Sequence, residues 1–565
     1  MNRFWGCSSL LFLLCIGGST LLPPAITRAA ESSPQRVIIG TIYDSQGNPI
    51  EGVSVIAHAS QASNTLAEAE TQSNGIFSLE LPEELPPNLS LTIERAHFKS
   101  EEVPIQTSDL STLKNGGIIA LPEIILDRHI GIAFWVATVI FIIMLVLIAS
   151  EKFHNTLAAL LGVTLVFVVS YLGRSVSESL YIYDFKRALT YVDWNVIFLI
   201  LGMMIYIAMV EKTGIFQWTA LWAYRISRGR LWLLMPVLML FTGIASAFLD
   251  NVTTMLLMTP ITVQISLAMG INPMSLLIPE VMASNVIGIS TLIGTPTNIL
   301  IGSYAHISFS DFLKNLTPGV LLAFLGLIIY SEFTYRRELK KSSNISTTLL
   351  EKLTEHGRIT EPQHLKKAGW VGLGMIILFV LGEKIHLVPA VTALLGATTL
   401  LVWIKPDLEE MIAAVDWTTL VFFLALFMVV GAIQEVGLVS IIAGLIRKLI
   451  GENKILAMFV VIWASASLSI VIANIPFTAA MLPVIGYLTK TIPSVHTKVL
   501  FYCLSVGSAF GGNGSLIGAS ANMVTAGIAD RAGYPVTYMY FLKKGLPALI
   551  ITVALANIWL LLHFF

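Results

Sequence analysis

Charged side chains are scarce in this sequence. Lys, Arg, Asp and Glu supply 12% of the 565 residues while hydrophobic types supply 55%, and a soluble chain carries about twice that share of charge. Neither sign dominates: 34 basic against 35 acidic residues leave a net charge of −1, so there is no basic surplus for a nucleic-acid partner. Cysteine is nearly missing. Cys7 and Cys15 lie in the N-terminal leader and Cys503 in an apolar run, so neither a disulfide framework nor a cysteine metal site is expected. No GxxxxGKS or GxxxxGKT stretch is present, so ATP hydrolysis is not built in, and a separate ATPase partner stays open. No catalytic constellation stands out, which argues against an enzyme and against any cofactor beyond a coupling ion. What the chain has in abundance is apolar runs of about 17–20 residues, the length that spans hydrocarbon.

Residues 1–30 begin with Asn2-Arg3, continue with LLFLLCIGG and end near Thr27-Arg28-Ala29-Ala30. That is a signal-peptide layout, with an uncleaved anchor as the alternative. Residues 31–125 alternate apolar and polar positions in VIIGTIYD, VSVIAHA, IFSLELP and LSLTIER, separated by turn signals at 44–49 and 73–75. Short strands at this spacing predict a small all-β sandwich, extracytoplasmic if the leader exports it. From 129 onward, spans are expected at 129–149, 155–173, 194–212, 277–303, 316–333, 368–384, 388–404, 417–434, 499–528 and 546–564. The stretches 231–270 and 455–490 are too long for one span, and each is split by a polar kink, LDNVTT at 249–254 and ANIPFT at 473–478. Both are predicted to be re-entrant hairpins, since irregular backbone at that depth must face protein or a water-filled cavity. The loop 334–367, with Arg336, Arg337, Lys340, Lys341, Lys352, Arg358, Lys366 and Lys367, and the segment with Arg225, Arg228 and Arg230 are expected to be cytoplasmic.

The membrane region repeats. Val192-Asp193-Trp194 recurs as Val415-Asp416-Trp417, LDNVTTMLLMTP as IANIPFTAAMLP, and STLIGTPTN as GSLIGASAN, in order and at an offset of 223 or 224. The expected organisation is a first transport repeat over 129–333, the basic loop 334–367 and a second repeat over 368–565. Five spans per unit invert the second copy, and inverted repeats with interrupted helices are the signature of secondary transporters. Gly294, Pro296 and Asn298 break one spanning helix; Gly511, Gly512, Gly514, Gly518 and Asn522 break its counterpart. Unwound backbone exposes carbonyls and helix ends that hold an ion or charged substrate.

Asp250, at the first hairpin tip, is a costly place for a carboxylate and suits cation coordination or proton carriage; capping the returning arm is the plainer role. The equivalent position is Ala473. Asn251 and Asn474 occupy matching tips, and Thr253, Thr254 and Thr478 add hydroxyls for which a helix-internal bond is the bland reading. Na+ is the candidate ligand of Asn251, Asn298, Asn474 and Asn522. Glu280 reads as a surface-level helix-start carboxylate, Ser284 and Asn285 as pathway-lining candidates, His306 as a loop histidine, and Asp193 and Asp416 as interfacial anchors.

FLDNVTTMLLMTPIT, ASNVIGISTLIGTPTNILIGS, ANIPFTAAMLP and FGGNGSLIGASANMVTAGIA closely resemble the P protein (pink-eyed dilution) branch of the ion transporter superfamily. That branch groups with the arsenite-pump and NhaD-like permeases and carries the citrate-transporter-like domain. The likeness runs from about residue 150 to the C-terminus. The N-terminal pattern GTIYDSQGNPIEGVSVIA is similar to the carboxypeptidase-regulatory-like sandwich. More distantly, the paired hairpins and GTPTN look like the divalent anion–sodium symporters. That resemblance implies a scaffold plus a moving, elevator-type transport subdomain, a homodimer in the plasma (inner) membrane, and site residues at Asn251, Thr253, Gly294, Thr295, Pro296, Asn298, Asn474, Gly518, Ala519, Ser520 and Asn522. Two departures matter: Thr295 and Ala473 stand where the P-like pattern usually has acids. The expected function is a secondary active transporter of a small ion, coupled to Na+ or H+. Na+/H+ antiport, anion or dicarboxylate symport and metalloid-oxyanion efflux compete as substrate classes. A passive anion channel and a membrane-anchored binding protein are the readings of another kind.

Overall fold

The computed structural model describes residues 36–45, 47–59, 65–150, 153–340, 358–492 and 498–565; the expected signal peptide lies outside them. The chain divides into two compact units at His129/Ile130.

In the first unit, strands β1 (Val37–Asp44), β2 (Ser54–Ala59), β3 (Thr65–Glu70), β4 (Ile76–Glu80), β5 (Leu89–Glu94), β6 (Glu101–Pro104), β7 (Ile118–Ala120) and β8 (Ile124–Leu126) form two four-stranded sheets. One runs β4-β1-β7 with β8 also on β1; the other runs β3-β2-β5-β6. Alternation sends Ile38, Ile42, Val55, Phe77, Leu79, Leu91 and Ile93 into one core. A short helix, α1 (Thr107–Lys114), precedes β7, and Leu110 and Leu113 close that core.

The second unit is helical, and among the described residues nine helices are long and apolar enough to cross a membrane. It opens with α2 (Ile132–Ala149), α3 (Asn155–Tyr171), the short α4 (Phe185–Thr190), α5 (Trp194–Glu211) and α6 (Ile215–Ser227). The first hairpin is α7 (Leu231–Phe248) and α8 (Asn251–Ala268), followed by α9 (Met274–Gly288), α10 (Pro296–Ala305) and α11 (Phe309–Leu339). The second half comprises α12 (Pro362–Leu381), α13 (Pro389–Ile404), the short α14 (Leu408–Ala413), α15 (Trp417–Glu435) and α16 (Leu438–Ile450). The second hairpin is α17 (Lys454–Leu468) and α18 (Asn474–Thr491), followed by α19 (Val499–Gly511), α20 (Ser520–Arg531) and α21 (Tyr538–Phe564). The stretches expected as single spans at 277–303 and 499–528 are therefore α9 and α10, and α19 and α20, each pair joined by non-α-helical backbone.

The repeat extends further than its quoted motifs. Asp184 and Asp407 cap α4 and α14, Asp193 and Asp416 cap α5 and α15, and left-handed glycines Gly214 (φ 78°) and Gly437 (φ 92°) open α6 and α16. A side chain at either glycine would strain the backbone, so both turns need glycine. The copies are antiparallel. Lys212, ending α5, pairs with Glu410 of α14 at 2.5 Å, and Arg187 of α4 pairs with Glu435, ending α15, also at 2.5 Å. The end of α5 thus meets the approach to α15, and the reverse holds at the other end. Packing crosses between copies as well: α3 lies on α15 and α13 on α5. At the α5–α13 contact a Cβ on Gly202 would sit 2.7 Å from the Ala393 backbone carbon.

Candidate ion-binding site between the two broken helices

The two breaks are built alike, from the backbone up. After α9 the chain leaves the helix at Ile289, and α10 starts behind Thr295 in extended backbone (φ −145°, ψ 142°); α20 starts behind Ala519 at φ −142°, ψ 137°. Each break folds back on its hairpin. Ser246 donates to the Ser284 carbonyl at 3.0 Å, and its counterpart Ser469 donates to the Ser508 carbonyl at 2.7 Å. Thr291 donates to the Ala247 carbonyl, and Ser515 donates to the Ile470 carbonyl at 2.5 Å. Those same hydroxyls accept from the Gly294 and Gly518 backbone N–H groups, both at 3.1 Å. No side chain fits at either glycine. A Cβ on Gly294 would come within 2.3 Å of the Gly288 carbonyl oxygen and 2.6 Å of that of Ser246, and one on Gly518 within 2.8 Å of the Ser469 carbonyl oxygen.

Unwinding frees carbonyls, and one asparagine per repeat satisfies them. The Asn298 amide donates to the Ile289 and Thr291 carbonyls at 2.9 and 2.8 Å; the Asn522 amide donates to those of Gly512 and Ser515 at 2.8 and 2.9 Å. Both asparagines are fully buried. Their oxygens are engaged across the repeat boundary: Ser505 of α19 donates to Asn298 Oδ1 at 2.5 Å, and Asn285 of α9 donates to Asn522 Oδ1 at 3.1 Å. Asn285 is the hub of this junction. It also donates to Asn513 Oδ1 at 2.9 Å and accepts from the hairpin-tip residue Asn251 at 2.8 Å. Neither Ser505 nor Asn513 carries a sequence signal marking it for this role, since the matching positions are Val281 and Ile289.

The hairpin tips differ. Asp250 caps α8, its Oδ1 accepting from the Val252 and Thr253 N–H groups at 2.9 Å each and its Oδ2 from the Thr253 hydroxyl at 2.5 Å. Thr295 caps α10 through the Asn298 N–H at 3.3 Å. Ala473 and Ala519 give α18 and α20 no side-chain cap. Asn474 is buried and its N–H donates to the Gly518 carbonyl at 3.2 Å, while the buried Thr478 hydroxyl has no hydrogen-bond partner.

A cavity of about 300 Å³ reaches this junction. Among the expected site residues it touches Asp250, Thr253 and Pro296 from the first repeat and Ser520 from the second, with Ile475 beside it. Its wall includes Met204, Ile207, Ala208 and Glu211 of α5 and Asp416 ahead of α15. Three carboxylates therefore line it, and no lysine or arginine does. Asn298, Asn522, Gly294, Gly518 and Asn474 stand behind the wall and shape it. A second cavity, about 440 Å³, uses the equivalent scaffold positions Phe427, Val430, Gly431, Gln434 and Asp193. It runs past Ala479, Leu482 and Pro483 of α18 and reaches neither hairpin tip nor break. Glu280, expected at a surface, is instead fully buried between the first hairpin and α9; every residue of α9 is buried, and this packing overrides the helix-start pattern around it.

A citrate-transporter family profile matches residues 145–499. An uncharacterized transporter of Mycobacterium tuberculosis is 37% identical over 433 residues, covering 76% of this chain and 98% of that protein. The human P protein is 32% identical over 508 residues, covering 75% of this chain and 59% of that one. Among solved structures, the YdaH transporter of Alcanivorax borkumensis aligns with a TM-score of 0.50 at 12% identity, over 76% of this chain and 97% of its own, a likeness of fold.

Proposed function

Because the chain belongs to the citrate-transporter family and is a multi-pass membrane transporter, we propose that it is a secondary active transporter that moves a small ion by alternating access, coupled to Na+ or H+. The observation that carries this reading is the unequal reach of two equivalent cavities. Matched residues of α5 and α15 line both, yet only the one at the Glu211–Asp416 end arrives at the junction of tips and breaks. In an inverted repeat, exchange of the two copies' conformations opens the other side. The Glu211 end is also where the basic loop docks, through the Thr360 N–H on the Thr213 carbonyl at 3.0 Å. Loop basicity makes that end cytoplasmic, so this conformation faces inward.

Asp250, Asp416 and Glu211 give the open cavity a field that draws cations, which favours a cation as one transported species. A second reading, anion or dicarboxylate symport, is favoured by the uncapped starts of α18 and α20. Their first-turn residues Ile475 and Ser520 line the same cavity, and free helix starts attract anions. The deciding test is flux in proteoliposomes of the full-length protein, screened against Na+, H+, chloride, sulfate, arsenite and C4–C6 carboxylates, with Asp250→Asn in parallel. Proton flux driven by a Na+ gradient and lost in the variant supports antiport. Carboxylate counterflow that survives the variant supports symport. Arsenite movement supports metalloid efflux, and fast passive chloride flux or no flux at all sinks the transporter mechanism.

A further inference from the structure

Glu280 takes no part in the junction described above, and its surroundings are unusual. Its side chain is fully buried, and apart from Glu435 and Asp44 no other acid among the described residues is so enclosed. Glu435 has Arg187 and Tyr191 against it, and Asp44 holds the Asn48 turn. Glu280 has neither a cation nor a backbone partner. One oxygen, Oε1, accepts from the Thr242 hydroxyl of α7 at 2.6 Å. The other, Oε2, has no hydrogen-bond partner, and neither has the Thr262 hydroxyl of α8, which faces the same carboxyl. Of the elements packed on α9, α7 holds no charged residue. Asp250 heads α8, Asp311, Lys314, Glu332, Arg336, Arg337 and Glu338 lie on α11, Asp530 and Arg531 end α20, and Lys543, Lys544 and His563 lie on α21. None of them forms an ion pair or hydrogen bond with Glu280.

An ionised carboxylate enclosed this way would have two neutral hydroxyls at most, with no backbone N–H and no counter-charge, an arrangement proteins avoid. A proton on Oε2 removes the uncompensated buried charge, and the acid O–H can then donate to Thr262 while Oε1 keeps the bond from Thr242. We propose that Glu280 is a proton-binding site held between the two arms of the first hairpin and α9. Its place links it to the transport junction. Asn285, the hub, is five residues further along the same helix, about 7 Å up the axis, and the two arms that contact the carboxyl are those whose tip carries Asp250 and Asn251. Taking up or releasing the proton changes what holds α7 and α8 to α9, the elements that shape the open cavity. The site would give the transporter its H+ coupling, and so deepens the reading above.

Infrared difference spectroscopy on the purified full-length protein in lipid nanodiscs tests it without a substrate, so failure here leaves the cavity reading intact. At neutral pH the wild-type spectrum should contain the carbonyl band of a protonated acid that is absent from Glu280→Gln. That band should fade as the medium is made alkaline, and Thr262→Val, which keeps Glu280 and removes its acceptor, should shift it to higher frequency. The proposal falls if no acid band separates wild type from Glu280→Gln, if Thr262→Val leaves the band in place, or if the band persists unchanged through the titration while the fold holds. Thr262→Val also covers the case in which Glu280→Gln does not fold.

Discussion

The first hairpin turns in two residues, Leu249 and Asp250, and the second takes five, 469–473. In the first repeat both helices that start at the junction are capped by their own side chains, Asp250 and Thr295; in the second, alanine stands at both caps. The breaks behind these tips share their hydroxyl staples to the hairpins and an asparagine that bridges two freed carbonyls. Two copies of one fold thus keep the same stapled loops and differ in what they present to the cavity: carboxylate and filled helix ends on one side, bare helix starts on the other.

The largest expected effect tests the shared part. Asn298→Asp and Asn522→Asp each turn a donor into an acceptor facing two carbonyls, and each should cost about 4 kcal/mol, read as loss of melting temperature or of folded yield. Equal losses sustain the equivalence of the breaks, and a large loss at one site only would break it. Gly294→Ala should cost about 3 kcal/mol because the new Cβ falls 2.3 and 2.6 Å from two carbonyl oxygens, and Gly518→Ala about 2 kcal/mol, since its two carbonyl oxygens stand at 2.8 and 2.9 Å; a reversed order would contradict the packing. The ion pairs at the two ends should separate next. Glu435→Ala removes a nearly buried acceptor of Arg187 and Tyr191 and should cost about 2 kcal/mol, whereas Lys212→Ala, in the more exposed pair, should cost under about 1 kcal/mol. The smallest stability effect is at the cap. Asp250→Asn keeps a capping oxygen and should move stability by less than about 0.5 kcal/mol, while cation flux falls sharply if the carboxylate is what the cavity uses.

Much of this was readable in the sequence. Three ordered matches located the duplication, the glycine-rich breaks are where helices stop, and the first kink, 249–254, contains the turn at 249–250, whereas the second turn, 469–473, ends where the kink expected at 473–478 begins. The Asp-Asn-Val-Thr run carried its own cap signal. Other features had none. Asn285 has Ala509 as its counterpart, so the repeat itself hides the hub, and its importance comes from three partners far apart in sequence. Glu280 after Pro279 looks like an ordinary helix start, and only the packing of α7, α8 and α9 encloses it. The helices α6 and α16 are 13 residues each, too short for a search by span length.

The two ion pairs that join the halves occupy equivalent positions with their signs exchanged. Arg187 corresponds to Glu410, and Lys212 to Glu435, both at the 223-residue offset. Two first halves assembled in this geometry would set Arg187 against Lys212, and two second halves would set Glu410 against Glu435. Like charge opposes either self-pairing, so a half-protein made on its own is steered away from its twin and toward the other half, and these two of the contacts between the halves encode which partner each accepts.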